Sequence, residues 1–199
     1  MKKVILLTAI LVLSFLIYGC GTSKSAQKTT EYQDELAAAP AWVKNPSSVE
    51  GAVAAVGIAK IGKAGMPFAQ TEALAKGRDE LARMMSLKVK NLFKNFTKIT
   101  GLGDDQTVDK VSSDVSKQVA NQTLQGSKQR DSWISSSNNL YMLVVIENKI
   151  AAETAKTSIQ TSLKNEQALW QEFQAKKGHE ELDKEVDKEF GEFKKADTK

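Results

Sequence analysis

Hydrophobic positions change their period several times along the chain, and each change marks an element. Val53 to Ile61, VAAVGIAKI, is apolar with small residues and β-branched ends between Gly51 and Gly62, which predicts a strand. From Gly65, Met66 and Pro67 the period becomes helical. Leu74, Leu81, Met85, Val89, Leu92 and Phe96 recur on one face, widened by Ala75, Ala82 and Phe93, and Ile99, Thr100 and Gly101 end the run. A helix of about 34 residues would run roughly 50 Å, more than a small sheet needs. A kink near Ser86 or an arm reaching past the sheet is therefore expected. Past the LGDD turn, Asp104 or Asp105 caps a second helix with a narrow stripe of Val108, Val111, Val115 and Val119. The two helices predict a hairpin lying on the sheet.

Leu124 to Ser136 is a polar strand candidate with Trp133 and Ile134 near its end, turned by Ser137, Asn138 and Asn139 into LYMLVVIE, Leu140 to Glu147. That last run is apolar at odd and even positions alike, as in a central strand covered on both faces. The helices can cover one face; the C-terminal segment or a second protomer should cover the other. Beyond Asn148, Ile150, Ala155, Ile159 and Leu163 form one helical stripe, and Leu169, Trp170 and Phe173 continue it. After a break at Lys177, Gly178 and His179, Leu182, Val186, Phe190 and Phe193 form another, an amphipathic arm for an intramolecular groove or a partner. The fold class predicted is α+β: a small, mainly antiparallel three-stranded sheet in β-α-α-β-β-α order, packed by long helices, with a C-terminal helical extension.

The N-terminus reads differently. Lys2 and Lys3 precede an apolar run from Val4 to Tyr18 that ends at Gly19. At roughly 22 Å it falls short of the roughly 30 Å a spanning helix must cross, so residues 1–19 read as a signal peptide. Thr22 to Ala39 is rich in Ser, Thr, Lys and Gln without aliphatic periodicity, a flexible tether. It ends at PAWVKNP, Pro40 to Pro46, where Trp42 and Val43 are the first large apolar groups able to dock on a domain. Removing Lys2 and Lys3 changes the charge picture: 28 basic and 24 acidic side chains become 26 and 24, a net +2. With no arginine-rich stripe and no basic patch interleaved with aromatics, nucleic-acid binding is excluded.

The only cysteine, Cys20, follows Gly19 directly. Leu16, Ile17, Tyr18, Gly19 and Cys20 resemble the lipobox of bacterial lipoproteins, although Tyr18 is larger than the residue usual there. The resemblance implies that Cys20 becomes an acylated N-terminus, carrying a thioether diacylglycerol and commonly an amide-linked fatty acid such as palmitate. Two or more chains hold a protein stably at a membrane where one would be marginal. Gly21, in place of the aspartate that marks inner-membrane retention in some sorting systems, favours the outer membrane over the inner.

The order of parts resembles the LPP-twenty family of twenty-kilodalton antigenic outer-membrane lipoproteins and their flagellar relatives, which build outer-membrane discs. The residues carrying it are the lipobox, the polar tether, Pro40 with Trp42 and Val43, Ala55-Val56-Gly57 in the first strand, Ala73 to Ala82 in the long helix, the tryptophan strand and YMLVVI. The resemblance covers roughly Cys20 to Lys149 and carries over one functional position, Cys20. The expected organisation is a signal peptide over 1–19, a lipidated N-terminus and tether over 20–39, the α+β domain over 40–149 and the helical extension over 150–199.

Catalytic reagents are scarce. His179 is the lone histidine and lies in a charged segment, and nothing like a nucleophile elbow is present. Histidine and cysteine are too few for a metal cluster. Asp104 with Asp105 and Glu180 with Glu181 are explained by capping and solvation. The reading is of no enzyme and no cofactor, a structural or protein-interaction module of the cell envelope that self-associates or binds an envelope protein, with Trp42, Trp133 and Trp170 as possible interaction residues. The alternative is a small-ligand carrier or a periplasmic hydrolase. Within the main reading, a flagellar-disc component and a surface antigen are both open.

Overall fold

A computed structural model describes residues 35–191, and in it the first apolar run becomes strand β1 (Ala52–Lys60) and the long pattern becomes helix α2 (Gly65–Thr100). Their contact is unusually close. A Cβ placed on Gly57 would lie 1.8 Å from the Ala73 carbonyl oxygen and 2.5 Å from the Gly77 nitrogen. One placed on Gly77 would lie 2.6 Å from Val144 Cγ2 and 3.1 Å from the Gly57 nitrogen. The row of α2 that meets the sheet is therefore small, Ala69, Ala73 and Gly77, all buried, whereas Ala75 is exposed. Large residues take over where the helix leaves the sheet: Leu81, Met85, Val89, Leu92, Phe93 and Phe96 are buried among other helices.

The helix is not broken near Ser86; it reaches past the sheet, and its far half packs among other helices. The helix runs 36 residues without interruption, and the Ser86 hydroxyl, 2.8 Å from Ala82 O and 3.1 Å from Ser116 O, ties it to its neighbour. It ends where Gly101 takes a left-handed φ of 60°. Helix α3 (Asp105–Gly126) is capped by Asp104, whose carboxylate accepts the Thr107 N–H at 3.0 Å. Its principal partners are α2 and helix α4 (Asn148–Lys164), so that of the hairpin expected to lie on the sheet it is α2 that packs on the strands. Because α3 persists to Gly126 with Thr123 buried, strand β2 is only Lys128–Ile134, shorter than the Leu124 to Ser136 expected. A tight turn with Asn138 at φ 58° leads into strand β3 (Asn139–Glu147).

The sheet is antiparallel with β3 in the middle, order β1-β3-β2. On its inner face Val144 and Ile146 join the large cluster beneath the helices, and Leu140 and Met142 pack with Ala59, Ala69 and Ala73. Among the described residues the outer face is covered by the segment that precedes β1 and not by the C-terminal one. Leu143, Val145 and Ala54 lie against Trp42, Val49, Ala52 and Val56, so the stretch around α1 (Ala41–Lys44) and the 3₁₀ turn at Pro46–Ser48 supplies the cover.

The C-terminal stripes turn inward. Beyond α4 come α5 (Gln167–Ala175) and α6 (Gly178–Phe190), separated at Lys177, which has a left-handed φ of 52°. Ala151, Ala155, Ile159, Leu163, Leu169, Phe173, Leu182, Val186 and Phe190 share one cluster with the far half of α2. The amphipathic arm therefore finds an intramolecular groove. Ile150 is an exception, 38% exposed, because a helix that begins at Asn148 turns that position to solvent. Phe193 and Cys20 lie outside the described residues. From Ala39 onward the chain clusters as one compact unit, distinct from the segment up to Ala38.

Candidate functional site

Strand alternation puts residues two apart on one side, and pairing carries that side across the sheet. Asp131 faces Leu143 and Trp133 faces Tyr141 in the β2–β3 register, while Ile58 of β1 faces Tyr141 from the other side. All of these share the outer face. Trp133 tilts against the Tyr141 ring with centroids 5.2 Å apart, a geometry that adds attraction beyond burial. Trp42 reaches the same face from α1, and its indole N–H donates to Asp131 Oδ2 at 3.0 Å. A half-buried indole held by a carboxylate, a ring pair and an Ile58 side chain 45% exposed make one surface.

The structure thus brings Trp42 and Trp133 together and leaves Trp170 elsewhere. Trp170 stacks on Phe173 at 5.2 Å and meets His179 edge-on at 5.7 Å, with the Lys164 ammonium 5.1 Å over its ring. It fastens α5 to α4 and α6, a packing role. Sequence reasoning passed over Asp131, Tyr141 and Ile58. The i, i+2 spacing of Asp131 and Trp133 in a strand was the signal that could have placed the first beside the tryptophans.

The acidic pairs have structural employment. Asp104 caps α3, and the hydrogen bonds from Thr107 hold its carboxyl below the ordinary value. Glu181 pairs with Lys184 within the first turns of α6. Glu172 accepts from Lys176 and from the Gly103 N–H, and the Lys176 bond foremost holds it below its ordinary value. On α2, Glu72 pairs with Lys76 and Glu80 with Arg83, while the Arg78 Nε is buried without a hydrogen-bond partner. His179 lies 4.6 Å from the Phe173 ring centroid, with Nδ1 3.3 Å from Gln160 Nε2. Among the described residues no group of three or more His, Cys, Asp or Glu is placed to hold a metal, and no helix is long and apolar enough to cross a membrane.

No curated protein matches the chain. A family model described as LPP20 lipoprotein matches residues 40–147, from the start of the Trp42 segment to the end of β3 and more than half of the sequence. The span takes in both halves of the Gly57–Gly77 contact and the whole sheet. The chain accordingly belongs to the LPP20 lipoprotein family, bacterial lipoproteins of the cell envelope.

Proposed function

We propose that this chain is an outer-membrane lipoprotein held by lipid on Cys20, and that its folded part is a structural or protein-interaction module that carries out no catalysis. The observation that carries the reading is the outer face of the sheet. Trp42, held from α1 by Asp131, and Trp133, packed on Tyr141, present aromatic surface on the outer face of the sheet, and protein interfaces are enriched in such anchors at their centres. Asp104, Glu172 and Glu181 are engaged in a helix cap and in ion pairs, which supports a role played by contact.

Labelling growing cells with an alkyne fatty acid tests the anchor. The expected result is a Cys20-dependent label on a protein that fractionates with the outer membrane, and no label on Cys20→Ser. Label retained by Cys20→Ser, or none on the natural chain, overturns it. The interaction role is tested by complementing a deletion strain with Trp133→Ala while following motility and envelope permeability. Full complementation by Trp133→Ala and by Trp42→Ala alike would remove the outer face from the account.

A further inference from the structure

The sheet has two outer strands whose free edges are built differently. Along β2 stand Lys128, Gln129, Arg130, Asp131 and Ser132, with a register shift between Gln129 and Asp131. Charges and a bulge keep an edge from pairing with another chain. Strand β1 pairs with β3 over nine residues without a shift and carries no charge before Lys60. The bonds from Ile61 N–H to Asn138 O and from Asn148 N–H to Gly51 O set the parity: odd residues of β1 bond to β3. Ala52, Ala54, Val56, Ile58 and Lys60 therefore turn their backbone groups outward. The Ile58 carbonyl accepts from Lys76 Nζ at 3.2 Å. From Ala52 to Ala54 the edge opens into a groove of about 530 Å³ bounded by Val49, Met84 and Phe190. Four residues on, Ile58 is 45% exposed.

Resting on the reading of a self-associating module, we propose that the free edge of β1 takes β1 of a second copy, antiparallel about a two-fold axis at Val56, so that two three-stranded sheets join into one of six. With Val56 on the axis, Ala52 faces Lys60 and Ala54 faces Ile58. Outward residues then meet outward residues along the whole strand, which a shift of one residue would undo. Small meets large on the outer face: the copy's exposed Ile58 settles beside Ala54 and its neighbour Val49. The same register carries the copy's Lys63 and the N-terminal end of its α2 to the rim of the groove, where α6 ends. A helix N-terminus and an ammonium meet a helix C-terminus, the favourable sense. Lys76 gives up the Ile58 carbonyl to a strand N–H and keeps Glu72, 2.7 Å away.

The test uses the full lipidated chain in detergent, with protein mass measured by light scattering and detergent mass subtracted. The natural chain is expected to be a dimer at micromolar concentration. Ile58→Lys, at an exposed position, raises the dimer dissociation constant roughly tenfold or more. Ile134→Lys, at a position 46% exposed on β2, leaves it unchanged. Amide exchange needs no variant: the N–H groups of Ala54, Val56 and Ile58 are protected in the dimer and exchange quickly on dilution. A monomeric natural chain, a dimeric Ile58→Lys, dissociation by Ile134→Lys, or fast exchange at those three amides in the dimer each overturns the pairing. A monomer that keeps its Cys20-dependent label overturns the pairing alone, and an unlabelled dimer overturns the anchor alone.

Discussion

Replacing Gly57 with alanine puts one methyl group where the backbone of α2 already is. The new carbon would sit 1.8 Å from Ala73 O, and ordinary contact for a Cβ begins at about 3.4 Å, so the helix must rise by roughly 1.6 Å above the strand. No rotamer change relieves this, because the nearest opposing atoms belong to the main chain of a continuous helix. A radial gap of about 1 Å forfeits up to half of each dispersion contact it opens, and the contacts at risk include Ala59, Met142 and Val144. Overpacking costs about 1–3 kcal/mol in ordinary cores, and this site belongs at the upper end, about 3 kcal/mol. For a domain of this size that is a fall in Tm of roughly 6–12 °C. Gly77→Ala should cost less, about 1 kcal/mol, because its nearest neighbour is a valine methyl and alanine gains helix propensity. Gly62→Ala, with nothing near its Cβ, is the neutral control. Thermal and urea unfolding followed by circular dichroism measures all three. A Gly57→Ala protein within about 0.5 kcal/mol of the natural one, or a Gly62→Ala as unstable, would refute the argument from close approach.

Phe173→Ala removes a ring 5.9 Å from Phe96, 5.2 Å from Trp170 and 4.6 Å from His179, and should destabilise by about 3–5 kcal/mol in urea unfolding. Asp131→Ala releases the Trp42 indole, which should shift tryptophan emission to the red and cost about 1 kcal/mol; unchanged emission would mean the bond is not kept in solution. Acid should weaken the fold through Asp104 and Glu172, whose folded-state values lie below their ordinary 3.8 and 4.5. Their contribution is complete above the unfolded-state values and is lost as pH falls through the depressed ones, so Tm is flat above about pH 5 and drops below about pH 4. In Asp104→Asn, which keeps a capping acceptor but cannot titrate, that drop should be smaller.

Periodicity found β1 within one residue of Ala52–Lys60, and found α2 with its Pro67 opening and Gly101 stop, because burial along one continuous face leaves a regular stripe. It missed why the first half of α2 is small. Ala69, Ala73 and Gly77 look like weak core positions until Gly57 is set beneath them, and that pairing is long-range. It misjudged the cover of β3, since a half-turn around Trp42 has too few residues for any period, and its hold comes from Asp131, 89 positions away. The β2 boundary slipped because Gln122 to Gly126 is polar enough to read as either helix or strand, and the helix carries on through the buried Thr123. Of the three tryptophans named as contact residues, two share a surface, and the third was indistinguishable in sequence from a residue whose stripe lies in the core.

The segment recognised by the family model stops at Glu147, yet Leu92, Phe93 and Phe96 are roofed by Ile159, Leu163, Phe173, Leu182 and Phe190. A recombinant piece trimmed to the homologous stretch would expose three large side chains within little more than one turn of α2 and should be sticky in solution. The stretch after Glu147 is therefore the lid of that flank, and the fold of the matched segment leans on residues outside it.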